Sequence, residues 1–219
     1  MKPVNKSIQV ACDGGGATGK STGAKMISKK YKLKFLSSGL LYRYASFIII
    51  KHGPKNKISF LKKKFKKLNY KKLNNINLHS PKISAHSAII AKINNIRKIL
   101  KKFQTDFVKK NKNCVIEGRD SSTKIIPNSD VKFFFICALN IAAVRRYKEL
   151  KKNNSKIKFK DVKKALRIRN ISDTRRKNSP LLKHRDSVEI DTGKLNKQAM
   201  LAKMVKNIEK LLNTEKNGK

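Results

Sequence analysis

Apolar positions along the chain follow two rhythms. Short, mainly apolar runs at Val10-Ala11-Cys12, Lys34-Phe35-Leu36, Cys114-Val115-Ile116 and Val131 to Ile136 read as buried strands, and Ser187 to Thr192 reads as a last one. Between them the spacing lengthens to that of a helix. Thr22 to Tyr31 sets Ala24 and Ile27 on one side and Lys25, Lys29 and Lys30 on the other. An apolar stretch runs from Ser38 to Ile50. Ile83 to Phe107 repeats Ala85, Ala88, Ile89, Ile93, Ile96, Ile99, Leu100 and Phe103 at three- and four-residue steps and predicts one long helix. Ile141 to Leu150 and Leu195 to Leu212 predict two more. Alternating strands and helices describe an open α/β sheet, whose ligands bind at the carboxyl ends of the strands.

Two segments break the rhythm. Lys51 to Ser80 is polar and lysine-rich, with a helical pattern only over 58–68, and reads as a small mobile lobe outside the core, irregular or edge-strand in its second half. Lys151 to Ser179 opens on a loop, Lys151-Lys152-Asn153-Asn154, and continues into a short helix over Phe159 to Ile168. Arg167, Arg169, Arg175 and Arg176 then crowd around Asp173. The chain supplies positive charge mainly as Lys, so this local switch to Arg is informative. A guanidinium binds phosphate with two prongs and keeps its proton. Such a segment suggests a lid over a transferring phosphate, and a charged helix face is the plainer alternative.

The first strand leads into Gly14-Gly15-Gly16-Ala17-Thr18-Gly19-Lys20-Ser21-Thr22, which fits G-x-x-x-x-G-K-[ST]. Each part has a physical role. The glycines let the backbone curl so that its N–H groups face phosphate oxygens. The helix beginning near Lys20 adds its positive end. Lys20 brings a full charge to the β- and γ-phosphates of ATP, and Ser21 offers a hydroxyl to Mg²⁺. Strand, loop and helix stand in the required order, so a chance match is a minor alternative.

Composition changes the picture less than its size suggests. The 219 residues carry 55 Lys and Arg against 13 Asp and Glu, a formal charge of +42. That balance usually points to nucleic acid or an anionic membrane. Here the excess is spread along the chain beside abundant Asn and Ile, all residues of A/T-rich codons, and no basic domain separates from the core. No dedicated nucleic-acid partner is expected, although the surface favours anionic substrates. Cys12, Cys114 and Cys137 form no C-x-x-C pair and read as free thiols in a reducing cytoplasm. His52, His79, His86 and His184 lack metal-ligand spacing. No apolar leader or membrane span is legible, and a cytoplasmic protein without a membrane partner is expected.

Three further groups stand where ligands bind. Ser38, Tyr42 and Arg43 follow the second strand, though an ordinary helix start accounts for Tyr42 and Arg43 equally. Glu117-Gly118-Arg119-Asp120 follows the third: the acids can reach Mg²⁺ through water or meet a base edge, Arg119 can hold phosphate, and a structural ion pair is the alternative. Arg97 and Gln104 share one helical stripe and point either into a cleft or to solvent.

Taken together these motifs resemble the bacterial cytidylate (CMP) kinases, nucleoside monophosphate kinases of the P-loop class. The resemblance runs from about Ile8 to Leu212. It rests on Asp13-Gly14 with the loop, Ser38-Gly39, Tyr42-Arg43, Gly118-Arg119-Asp120-x-x-Thr123, Arg169-x-x-x-Asp173-x-x-Arg176, Ser179-Pro180-Leu181 and Asp191-Thr192. It implies a three-layer αβα fold on a five-stranded parallel sheet, as one domain over 1–219. The core would be 1–50, 81–150 and 181–219, with a monophosphate-binding insertion at about 51–96 and a lid at about 151–180. It implies phosphorylation of CMP and dCMP by ATP with Mg²⁺, in a monomer. Ser38, Arg43 and Arg119 would contact the CMP phosphate, with Arg169 and Arg176 closing from the lid. Asp173 would hold the ribose, and Arg97 and Asp120 the cytosine. Three departures stand out. Ser37 replaces the family's Asp. Ala88 replaces its base-binding Ser. The insertion is short, and its usual Arg has no clear match, with His79 or Lys82 nearby. A P-loop kinase for another nucleotide, shikimate or dephospho-coenzyme A is the other enzyme reading, and a P-loop nucleic-acid switch the non-enzyme one.

Overall fold

The computed structural model describes residues 7–152 and 155–214; Asn153 and Asn154 of the expected loop lie outside the described residues. In chain order the elements are β1 (Gln9–Gly14), α1 (Lys20–Lys30), β2 (Lys34–Ser37), α2 (Ser38–His52), α3 (Lys57–Lys66) and a 3₁₀ turn (Tyr70–Asn75). Then come α4 (Pro81–Ile90), α5 (Asn94–Lys110), β3 (Cys114–Gly118), a π turn (Ser121–Ile125), β4 (Val131–Ile136), α6 (Leu139–Lys151), α7 (Phe159–Arg175), β5 (Val188–Asp191) and α8 (Lys197–Thr214). The five strands pair parallel in the order β2-β3-β1-β4-β5. Because β1 is central and the chain departs to β2 before returning through β3, the carboxyl ends of β1 and β3 stand at the crevice where open α/β sheets bind ligands.

Apolar side chains cover both faces of the sheet, which is why the strands read as mainly apolar runs rather than as strict alternation. On one face Ile27, Phe133, Phe135, Met204 and Ile208 join α1 and α8 to β1 and β4. On the other, Leu36, Leu41, Ile48, Ile96, Leu100 and Ile116 join α2 and α5 to β2 and β3.

Four expectations need correction. The insertion is no peripheral lobe: Leu61, Phe65, Leu73 and Leu78 are buried in the second cluster, and Phe65 meets Phe103 edge to face at 5.7 Å. Of the two alternatives for the stretch after α3, the edge strand is overturned: it forms a 3₁₀ turn and then irregular chain, and contributes no strand to the sheet. The long helix over 83–107 is two helices. Ser80 caps α4, its Oγ accepting from Ile83 N at 3.3 Å, and the chain turns at Ala91–Ile93 before α5. Periodicity could not show the turn because Ile89, Ile93 and Ile96 stay in step across it. Finally, the short helix over 159–168 runs on to Arg175, so the arginine cluster lies largely on a helix rather than after one.

Candidate active site

The loop that follows β1 is shaped by close approach. Asp13 ends the strand fully buried, and its carboxylate accepts from Ser121 N at 2.8 Å, Ser122 N at 2.7 Å and Ser122 Oγ at 2.7 Å. Burial pushes its pKa up, against those three bonds, so Asp13 serves to anchor the turn after β3. A side chain on Gly14 would sit 2.4 Å from the Phe135 carbonyl oxygen, and Gly19 holds φ at 80° to start α1. Lys20 is 6% exposed and folds back, Nζ donating to Gly15 O at 2.9 Å and lying 4.0 Å from Glu117 Oε2. Burial, then the nearby Arg119, pushes its pKa down to about 7, with Glu117 opposing. Ser21 and Thr22 are exposed on the first turn of α1. At the far side of the loop, Thr192 Oγ1 donates to Thr18 O at 2.9 Å, and Arg145 donates to Thr192 O at 2.7 Å.

Facing this loop is a hub of arginines around one carboxylate. Asp173 is 2% exposed. Its Oδ2 accepts from Arg119 Nε and Arg169 Nε, each at 3.0 Å, and its Oδ1 from Arg176 Nη1 at 3.2 Å. Burial raises its pKa, but the three guanidiniums outweigh burial and hold it below the usual carboxylate range. Arg43 lies nearby, 3.4 Å from His79 Nδ1; burial, then Arg146, Arg169 and Arg119, brings its pKa down to about 10. So many cations around one carboxylate leave a net positive cavity, suited to a dianionic phosphate.

Beside the hub is a cavity of about 240 Å³, lined among others by Tyr42, Arg97, Lys101, Gln104, Asp120 and Asn178. Arg97 Nη2 pairs closely with Asp120 Oδ2, and Nη1 donates to Ala91 O at 3.1 Å, satisfying a carbonyl at the α4–α5 turn. The guanidinium lies 5.7 Å over the Tyr42 ring. Gln104 also faces this cavity, 2% exposed, fixed by Ser38 Oγ and by Leu100 O.

The structure therefore gathers Lys20, Arg43, Arg119, Arg169, Asp173 and Arg176 at one end and Tyr42, Arg97 and Asp120 at the other. Ser38 is buried, and its hydroxyl donates to Gln104, which lines the cavity. Ala88 lies on α4, a helix apart from Arg97. Sequence reasoning passed over three residues. Arg146 reaches His79 O and Ser84 Oγ, each at 3.2 Å, and so ties α6 to the insertion. Ser87 is buried and accepts from Arg169 Nη1 at 3.2 Å. Asn170 meets the loop itself. Only the departure from Lys to Arg at 145 and 146 signalled any of these in the sequence.

A parallel α/β sheet whose central strand feeds a phosphate-binding loop, with a cationic cavity opposite, defines a P-loop phosphotransferase. The cytidylate kinase family model matches residues 10–210. The cytidylate kinase of Clostridium tetani is 32% identical, covering 95% of this chain and 97% of that protein. That of Mesomycoplasma hyopneumoniae strain 7448 is 32% identical over 92% and 93%, and that of Fusobacterium nucleatum 31% over 94% and 99%. The chain belongs to the cytidylate kinase family. Solved structures of an uncharacterized Eubacterium ventriosum protein (TM-score 0.55, 14% identity, 94% and 99% coverage) and a Thermus thermophilus protein (0.51, 12%, 93% and 97%) share the fold. No helix among the described residues is long and apolar enough to cross a membrane.

Proposed function

We propose that this chain transfers the γ-phosphoryl group of ATP to the phosphate of CMP or dCMP, giving ADP and CDP or dCDP. The observation that carries the reading is a line of neighbouring charges: the Arg97–Asp120 pair lies close enough to act on Arg176 of the Asp173 hub, and Arg119 and Asp173 of that hub lie close enough to act on Lys20 of the loop. Cytosine offers an N4 amino donor to a carboxylate and an N3 acceptor to a guanidinium. Uracil reverses both.

The attacking oxygen belongs to an anionic phosphate and needs no strong base. The protein's task is to align two anions and offset charge in the transition state. The loop amides and Lys20, released from Gly15 O, take the ATP phosphates. Arg43, Arg119, Arg169 and Arg176 take the CMP phosphate, and Asp173 fixes those guanidiniums and meets the ribose. Helix α7 over the loop restricts water at the transferred group. Ser21 offers a hydroxyl suited to Mg²⁺, and Glu117 Oε2 is a buried oxygen with no hydrogen bond, so the residues present fit that ion. When bound, Mg²⁺ would neutralise the β- and γ-phosphates. The three cysteines are free, as expected of a cytoplasmic protein.

The test is ADP release from ATP with CMP, dCMP, UMP, AMP and GMP in turn. CMP and dCMP are expected to have the highest kcat/KM, by about tenfold or more over UMP, the order set by one discriminating base contact. A preference for any other monophosphate contradicts the reading.

A further inference from the structure

The peptide group between Gly15 and Gly16 is held from both ends. Its carbonyl accepts from Lys20 Nζ at 2.9 Å and Thr18 Oγ1 at 3.1 Å. Its N–H, on Gly16, donates to Asn170 Oδ1 at 3.0 Å. Asn170 lies on α7 next to Arg169, whose guanidinium reaches the acceptor half of the site at Asp173, Ser84 O and Ser87 Oγ. Leu166, one turn earlier, seats the same helix against the loop: a methyl on Gly16 would lie 2.5 Å from Leu166 Cδ1. Leu166 is buried with Ala142 and Ala143, and Ala17 and Leu139 pack on that cluster. Neighbouring residues of one helix therefore engage the two halves of the site.

We propose that Asn170 is a positioning residue for the donor site, fixing the Gly15–Gly16 peptide and through it the resting place of Lys20. Glycine on both sides leaves this peptide free to rotate, since no Cβ restrains either residue. Two acceptors compete for Lys20 Nζ: the Gly15 carbonyl at 2.9 Å and the Glu117 carboxylate at 4.0 Å. Asn170 holds the N–H outward and so keeps the carbonyl turned to Lys20. Without Asn170 the peptide rotates, the carbonyl leaves, and Lys20 settles on Glu117, from which incoming phosphates must detach it. The inference rests on the reading of this loop as the ATP site.

Isothermal titration with ADP, on wild type, Asn170→Ala and Asn170→Gln, tests it. Asn170→Ala should weaken ADP binding about fivefold, the worth of one neutral hydrogen bond. Asn170→Gln keeps a neutral amide acceptor on the same face of the helix and should stay within about twofold of wild type. In the coupled assay the KM for ATP should rise in Asn170→Ala while that for CMP stays within about twofold, which separates positioning of the loop from loss of the lid. Thermal melts should match, because the residue is half-buried on a helix and Ala is the better helix former. The proposal is overturned if Asn170→Ala binds ADP as tightly as wild type, or if Asn170→Gln binds as weakly as Asn170→Ala. The titration needs no acceptor nucleotide, so a wrong acceptor assignment shows in the monophosphate panel and not here.

Discussion

The two halves of the site are built on opposite plans. The proposed donor half is contiguous: residues 14–22 form one loop and helix start, whose backbone amides are the groups offered to phosphate. The acceptor half is assembled from afar. Arg43 comes from α2, Arg97 from α5, Arg119 and Asp120 from the end of β3, and Arg169 and Asp173 from α7. Its chemistry lies in side chains, and one buried carboxylate, Asp173, organises three of them. A backbone site tolerates changes at side chains that point away from the phosphates, so long as the glycines and Lys20 stay. A side-chain site can fail at a single residue, and it can also discriminate between bases that a ring of amides cannot distinguish.

The largest expected effect lies at the acceptor hub. Asp173→Ala leaves three guanidiniums facing one another without their carboxylate, and removing one partner of a buried ion network costs about 3–5 kcal/mol. Urea denaturation should show that loss, and a loss under about 1 kcal/mol would mean that the arginines do not depend on Asp173. The pH dependence has a fixed sign. The folded pKa of Asp173 lies below its unfolded value, so its contribution is complete above the usual carboxylate range and is lost as pH falls through the folded pKa. The stability gap between wild type and Asp173→Ala should therefore narrow in acid; a gap that widens would contradict the assignment.

The donor half should respond in rate rather than stability. Lys20→Ala should keep the circular dichroism of the wild type and lose at least about a hundredfold in turnover, since electrostatic stabilisers of this kind are worth several kcal/mol. Lys20 is buried and pays desolvation in the free protein, so the truncated chain should be no less stable. Near-normal turnover in a folded Lys20→Ala protein would end the comparison, because the loop would then be structural.

The same contrast explains what the sequence could and could not reveal. The loop was legible because strand, glycines, Lys20 and helix follow one another. The hub was half legible: the switch from Lys to Arg near Asp173 marked it, but Arg119 joins it through folding alone. Ser37 illustrates a role that only pairing creates. It lies beside Glu117 across β2 and β3, and its hydroxyl donates to Glu117 Oε1 where the family has an acid. The α4–α5 turn was hidden because apolar spacing persists through it. The insertion was misread because its lysines dominate the composition while Leu61, Phe65, Leu73 and Leu78 do the packing. Asn170 carried no signal, since its partner is a backbone N–H far away in sequence.

The central claim is that turnover resides in the loop and base choice in the Arg97–Asp120 pair. One measurement addresses it: the ratio of kcat/KM for CMP to that for UMP, in wild type, Lys20→Ala and Asp120→Asn. Replacing the carboxylate leaves an amide that can accept from cytosine or donate to uracil, and one discriminating contact is worth about 1–3 kcal/mol. The ratio should fall roughly tenfold in Asp120→Asn and stay at its wild-type value in Lys20→Ala, where both nucleotides slow together. An unchanged ratio in Asp120→Asn, or one that collapses in Lys20→Ala, would contradict the account.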